Sequence, residues 1–135
     1  MFRLILATIV GYFLGQERKR HDKSGGGSRT LAIICLASCL MAIITLQIAD
    51  KIHPEIQNFT RLISYAVVGV GFLGSSVVTK TKKGLEGLTT ASLIWCIVPI
   101  GFCIGFKFYF YSLITSLLLY CILESKYWFN KGETK

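Results

Sequence analysis

The sequence predicts an all-α, polytopic membrane protein with about five transmembrane helices. Of its 135 residues, 53% are hydrophobic and only 16% are charged, a more apolar balance than a soluble domain of this length would have. The hydrophobic residues form blocks, and the basic residues fall in the short segments between those blocks. Because backbone polar groups inside a bilayer must be satisfied within each segment, the blocks are predicted to be helices.

The helices follow one another along the chain with short connections. The first apolar block, residues 4–14, is too short to cross the membrane unless its helix continues through Glu17 and Arg18. Pro99 is expected to kink the fourth helix, and only Phe106 and Lys107 separate it from the fifth. The predicted helices cover 3–20, 30–48, 61–79, 89–105 and 108–123, forming a membrane domain over 1–123 that is followed by a basic cytoplasmic tail at 124–135.

Two pairs of glycines predict faces for close helix packing. Gly11 and Gly15 lie four residues apart in the first helix, as do Gly101 and Gly105 in the fourth. Small residues at this spacing let two membrane helices approach closely.

The distribution of lysine and arginine predicts the orientation in the membrane. With the N-terminus outside, eleven of these residues fall on the cytoplasmic side and four on the outer side. Because cytoplasmic loops carry the excess of positive charge, we expect an outer N-terminus and a cytoplasmic C-terminus.

Several classes of function are disfavoured by the composition. The net charge of +8 comes from loop residues that do not interleave with aromatics on a soluble face, so no nucleic-acid partner is predicted. The five cysteines lie inside apolar blocks without a CxxC pair, which is typical of small buried hydrophobes. With no nucleophile beside a base, we predict no enzyme, no catalytic residue and no cofactor. His21 and His53 are lone loop histidines, so no resident metal is predicted.

Polar residues within or beside the apolar blocks predict a polar core. Charge in a bilayer is costly unless it is paired, so such residues often mark function. Thr89 and Thr90 open the fourth helix, where they either cap it or leave backbone N–H groups for an anion or acidic side chain. The predicted core consists of Glu17, Arg18, Arg29, Thr30, Arg61, Thr89 and Thr90.

A glycine-rich motif in the third helix is open to two interpretations. Gly69, Gly71 and Gly74 match the G-x-G-x-x-G pattern, but a dinucleotide site needs a surrounding sheet that this chain cannot supply. The glycines, with Phe72 and with Gly87 beyond the following loop, therefore indicate either close helix packing or a non-helical break whose carbonyls line a polar cavity.

The order of these motifs resembles the MgtC/SapB family of membrane proteins. The carrying residues are Gly15-x-Glu17-Arg18, then Gly27-Ser28-Arg29-Thr30, Arg61, the run 68–74, Gly87-Leu88-Thr89-Thr90-Ala91 and Leu93-Ile94-Trp95. The resemblance covers about residues 4–123 and implies a bacterial inner-membrane protein of about five helices. Glu86 stands where the family usually has arginine, and the chain looks like the short form without a soluble C-terminal domain.

The resemblance also implies a biological setting. Family members are linked to growth in low magnesium and to survival inside host cells, and some are reported to act on the membrane ATP synthase. We therefore expect a regulatory or binding protein that acts through the polar core, with a transporter or channel for an ion or small solute as the alternative. Its expected partners are the lipid bilayer and another membrane protein or complex, with a homo-oligomer left open.

Overall fold

The computed structural model describes residues 1–21, 27–52, 56–82 and 84–130. It contains five helices and one short hairpin: α1 Phe2–His21, α2 Ser28–Ile52, α3 Ile56–Val77, β1 Thr79–Thr81, β2 Gly84–Glu86, α4 Leu88–Gly105 and α5 Tyr109–Asn130. Most of the first predicted cytoplasmic loop, and residues 131–135 of the predicted tail, lie outside the described residues. The all-α membrane fold predicted from the sequence is confirmed.

Three of the helices are long and apolar enough to cross a membrane, judged by length and composition over the described residues. These spans are Ser28–Ala49, Thr60–Val77 and Leu88–Gly105, while Tyr109–Ser125 is a shorter apolar helix. Helix α1 carries charges near both ends, which lower its apolar content. Helix α5 continues to Asn130, so the segment predicted as a tail begins inside a helix that no proline or glycine interrupts.

The core lies between α1, α2 and α4. Helix α2 packs on α1 and on α4, whereas α3 and α5 lie against α4 at the periphery. The largest fully buried side chains come from α2 and α4: Leu31, Cys35 and Cys39 on the former, and Thr90, Leu93, Ile97, Val98, Ile100 and Ile104 on the latter. Because lipid tails are as apolar as these side chains, close van der Waals packing rather than water exclusion holds such a core together.

Both predicted glycine pairs make the close approach expected of them. A Cβ on Gly11 would lie 2.8 Å from the Leu31 carbonyl oxygen, and one on Gly101 would lie 2.6 Å from the Cys35 carbonyl oxygen. Gly15 and Gly105 meet the backbone of the same helix, α2, equally closely. The three central helices are therefore in backbone contact, and this prediction is confirmed.

A two-stranded hairpin forms the connection between α3 and α4. Strands β1 and β2 are antiparallel, with Thr79 opposite Glu86 and Thr81 opposite Gly84. The Thr81 hydroxyl donates toward the Glu86 carboxylate at 3.2 Å. Gly84 has a φ of 125°, which a glycine adopts without strain and which allows the tight reversal.

Candidate functional site

The candidate site is a buried polar cluster where the end of α1 meets the start of α4. Arg18 Nε donates a hydrogen bond of 2.9 Å to Thr90 Oγ1. Thr90 is completely buried, Arg18 is 8% exposed and Glu17 is 5% exposed. We call Glu17, Arg18 and Thr90 the α1–α4 cluster.

Local helix geometry explains how these residues become buried. Helix α1 continues without interruption to His21, so its last turns carry Glu17 and Arg18 into the protein. Helix α4 begins after Gly87, which has a φ of 87° and accepts a hydrogen bond of 2.9 Å from the Ala91 N–H. Thr90 then falls on the same face as Leu93, Ile97 and Ile104, which pack into the core.

The charged groups of the cluster are buried in the helix bundle and have polar partners there. Glu17 and Arg18 each make further polar interactions within the chain. Across the described residues, every buried side-chain nitrogen or oxygen has a hydrogen-bond partner. Because an unpartnered charge in a membrane interior is very costly, this satisfaction is what allows a carboxylate and a guanidinium to remain there.

The structure does not gather the other predicted polar residues at this cluster. Arg29, Thr30, Arg61 and Thr89 are all exposed on the surface of the chain. Arg61 lies sixteen residues before the end of α3 at Val77, which is about 24 Å along a helix and close to the thickness of the hydrocarbon core. The expectation that all these residues share one interior is therefore wrong.

The rotation of α2 and α4 about their own axes accounts for the exposure of Arg29, Thr30 and Thr89. In α2 the buried stripe runs through Leu31, Cys35 and Cys39, and it leaves Arg29 and Thr30 on the outer face. Thr89 comes one position before the buried stripe of α4, which begins at Thr90, and its side chain is exposed. The N-cap of α4 is Gly87, so Thr89 does not cap the helix. Glu86 is exposed in β2 and bonded to Thr81, in the hairpin rather than in the cluster.

The glycine-rich stretch is not a break in α3. The helix is continuous over Ile56–Val77, so of the two interpretations the non-helical break with free carbonyls is wrong. Backbone groups in a lipid-facing helix stay satisfied only if the helix continues, which explains the observed geometry. A Cβ on Gly74 would lie 3.5 Å from the Ala91 carbonyl oxygen on α4, whereas Gly69 and Gly71 have nothing within 4 Å.

A groove between α3 and α4 was not anticipated from the sequence. It has a volume of about 410 Å³ and is bounded by α3 and the first two turns of α4. Its lining residues are Val70, Gly71, Gly74, Ser75, Val78, Ala91, Ser92, Trp95 and Cys96. None of them is charged, so the groove is separate in chemistry from the α1–α4 cluster.

Fold and site together define a small helical membrane protein with buried, satisfied charge. The chain belongs to the MgtC family, whose family model matches residues 4–131. It is therefore a bacterial membrane protein. No solved structure gives a significant match to it.

Curated relatives match over nearly the whole chain. Protein SapB of Bacillus subtilis is 29% identical over 132 residues, covering 95% of this chain and 56% of SapB. The putative magnesium transporter YhiD of Escherichia coli K12 is 33% identical, covering 92% of this chain and 59% of YhiD. Protein MgtC of Salmonella typhimurium is 25% identical, covering 90% of this chain and 49% of MgtC. The chain thus spans roughly half to three-fifths of the length of these relatives.

Proposed function

We propose that the chain is a regulatory or binding protein of the bacterial inner membrane that acts under magnesium limitation through its α1–α4 cluster. One relative carries the name putative magnesium transporter, and the family resemblance implies a role in low-magnesium growth and in survival within a host. The lysine and arginine distribution supports an outer N-terminus and a cytoplasmic C-terminus, which would place the cluster toward the cytoplasmic side.

The observation that carries this proposal is the hydrogen bond between Arg18 and Thr90. It ties α1 to α4 through a buried charge, and neither residue lines the uncharged groove between α3 and α4. A translocation path would be expected to expose such a charge to a cavity. A closed, fully bonded cluster instead supports a role in holding one arrangement of helices that a partner recognises.

Growth of a magnesium-limited strain that lacks its own MgtC-family protein tests this role. Wild-type chain is expected to restore growth, and Glu17→Gln and Arg18→Gln are expected to fail although both accumulate in the membrane. Arg61→Gln is the matched control because Arg61 is exposed and far along α3 from the cluster. Full rescue by Glu17→Gln and Arg18→Gln would overturn the proposal.

The partner that the resemblance implies is the membrane ATP synthase. Co-purification from membranes through a tag on the chain tests it, with Arg18→Gln as the comparison. Retention of ATP synthase subunits by the wild type and their loss in the variant would support this partner. Equal retention, or none, would count against it.

Transport is the second candidate, because a buried carboxylate and guanidinium in a helix bundle are also features of ion pathways. Flux in proteoliposomes separates the two candidates. Uptake of Mg²⁺, protons or a simple anion that is lost in Glu17→Gln would favour transport. Absence of flux from protein that still rescues growth would favour the binding role.

A further inference from the structure

The groove between α3 and α4 lies at membrane depth and is open to its surroundings. Apart from Val78, its lining residues belong to the spans Thr60–Val77 and Leu88–Gly105. Two of them, Gly71 and Trp95, are exposed. Because both spans are long enough to cross the hydrocarbon core, the surroundings at this depth are lipid tails. Lipid therefore has direct access to the groove.

The two hydroxyl groups that line the groove are already bonded within their own helices. Ser75 Oγ donates to the Phe72 carbonyl at 2.7 Å, and Ser92 Oγ donates to the Leu88 carbonyl at 3.0 Å. The remaining lining residues are valine, glycine, alanine, tryptophan and cysteine. An ion or polar solute would lose its hydration here without compensation, whereas a hydrocarbon chain would not. The walls thus favour an apolar occupant.

The dimensions of the groove match one lipid tail. The groove runs from Val70, near the middle of the α3 span, to Val78 just beyond the end of that helix. Eight residues of helix cover about 12 Å, and one leaflet supplies about 15 Å of hydrocarbon. The groove volume of about 410 Å³ is well above the ~150 Å³ of a cavity that holds benzene. A single acyl chain can therefore follow the groove through most of one leaflet.

The hairpin places a lysine beside the end of the groove. Val78 lines the groove and directly precedes β1, and Lys80 follows two residues later, on the same side of the extended chain. Lys80 pairs with Leu85 across the hairpin. Glu86 lies on the opposite side with Thr81, to which it is hydrogen-bonded. Within the described part of the hairpin, the groove side therefore carries the lysine and not the carboxylate.

We propose that the groove and the hairpin form a binding site for an anionic phospholipid, with one acyl chain in the groove and the headgroup at Lys80. Any neighbouring lipid could supply the chain, so the lysine is what selects a headgroup with net negative charge. Basic residues at the cytoplasmic end of membrane helices bind such headgroups. The lysine and arginine distribution predicts that the hairpin faces the cytoplasm.

Tryptophan fluorescence tests this site because Trp95 lines the groove. Lipids with brominated chains quench tryptophan on contact, so quenching of Trp95 measures occupancy of the groove. The variant Trp128→Phe leaves Trp95 as the single tryptophan. It is reconstituted in phosphatidylcholine vesicles that contain increasing fractions of brominated phosphatidylglycerol or of brominated phosphatidylcholine. We expect phosphatidylglycerol to bind about fivefold more tightly, which is the contribution of one lysine near an anionic surface.

Charge variants test the role of the lysine. Lys80→Gln is expected to bind the two lipids with nearly equal affinity. Lys107→Gln removes the same charge from an exposed position beyond the other end of α4 and should keep the full preference. Equal affinities for the two lipids before any lysine is changed, or a preference that survives Lys80→Gln, would overturn the proposal.

Two glycines of α3 test whether the chain occupies the groove. Gly71 lines the groove, whereas Gly69 lies about 200° away around the helix, on the opposite side of α3. A Cβ at either position would meet nothing within 4 Å, so both positions tolerate a side chain. Gly71→Leu fills the groove and is expected to lose most of the quenching, while Gly69→Leu should be quenched as before. Equal quenching of these two variants would overturn the placement of the acyl chain.

A second reporter position separates a site from general attraction of anionic lipid to a basic protein. Leu118 is 59% exposed and lies nine residues after the start of α5, and Trp95 lies ten residues before the end of α4. Because α4 and α5 run in opposite directions, the two positions have similar depths. Leu118→Trp in a chain with Trp95→Phe and Trp128→Phe is expected to be quenched equally by the two lipids. The same preference at Leu118→Trp as at Trp95 would overturn the site.

Protection of buried thiols reports whether each variant keeps its fold. Cys35 and Cys39 are buried, so both should resist a maleimide in the folded chain, as read by mass spectrometry of the labelled peptides. If Gly71→Leu lost this protection, Lys80→Gln would still decide, because Lys80 is exposed. Neither variant alters the α1–α4 cluster, so loss of lipid preference leaves the proposed function unaffected.

Discussion

Replacing Thr90 by valine should remove the acceptor of the Arg18 hydrogen bond while keeping the shape of the side chain. Thr90 is completely buried, so no water reaches the site to replace the lost hydroxyl. Hydrogen bonds to charged groups contribute about 1.5–3 kcal/mol in soluble proteins, but hydrogen bonds within membrane proteins average about 0.6 and reach about 1.7 kcal/mol. Because Arg18 is charged and its bond to Thr90 has a well-formed length of 2.9 Å, we expect a loss of about 1.5 kcal/mol, near the upper limit for membranes.

Unfolding of the purified protein in mixed micelles measures this loss. In a chain with Cys96, Cys103 and Cys121 replaced by alanine, a thiol-reactive dye reports unfolding because Cys35 and Cys39 are buried free thiols. Thr90→Ser retains the hydroxyl and should lose much less stability than Thr90→Val. Thr89→Val, one residue earlier on the exposed face, should be nearly neutral. Equal stability of Thr90→Val and the wild type, or equal losses for the serine and valine variants, would refute the reasoning.

The remaining predictions concern glycines and orientation. Gly101→Ala should destabilise the protein by about 1–3 kcal/mol because the new Cβ would lie 2.6 Å from the Cys35 carbonyl oxygen. Gly69→Ala should stabilise it by about 0.5–1 kcal/mol because that position is open. Unfolding followed with the same dye compares the two variants, and equal changes in stability would contradict the packing described. Gly87→Ala should lower the stability by about 1–3 kcal/mol, because a φ of 87° strains any residue other than glycine and the new Cβ would collide with the Val77 carbonyl. Gly27→Ala, in open space, is its control in the same unfolding experiments. A C-terminal green fluorescent protein fusion should fluoresce and an alkaline phosphatase fusion should be inactive, since the charge count places this end in the cytoplasm.

The membrane fold and the glycine contacts could be predicted because each depends on local composition. Apolar blocks define helices in a bilayer, and paired glycines four residues apart mark faces where backbones meet. Gly101 and Gly105 do contact α2 as that spacing indicates. The continuity of α3 could not be predicted in this way, because glycines are compatible with both a notch and a break.

The membership of the polar cluster depended on helix rotation and depth, which residue type alone does not specify. A signal was present in the spacing: Thr90 is in register with Leu93 and Ile97 on the buried face of α4, while Thr89 is not. The same test applied to α2 would have placed Arg29 outside. The position of Arg61 could not be predicted from spacing within one helix, because its distance from the cluster follows only from the antiparallel order of α3 and α4.

The reversal between α4 and α5 has a consequence for how the protein sits in its lipid. Lys107 has a φ of 69°, and the Lys107 and Phe108 N–H groups donate to Ile104 and Cys103 carbonyls at 3.2 and 2.7 Å, an arrangement that closes the helix end without solvent. With those carbonyls occupied, the end of α4 needs less hydration than an open helix end, so the bend can lie close to the lipid tails. The ammonium group of Lys107 cannot enter the tails, and neither can the guanidinium of Arg3, whose Nη1 donates to the Gly105 carbonyl at 2.7 Å. These two side chains therefore fix how deeply the bend settles beneath the phosphate layer.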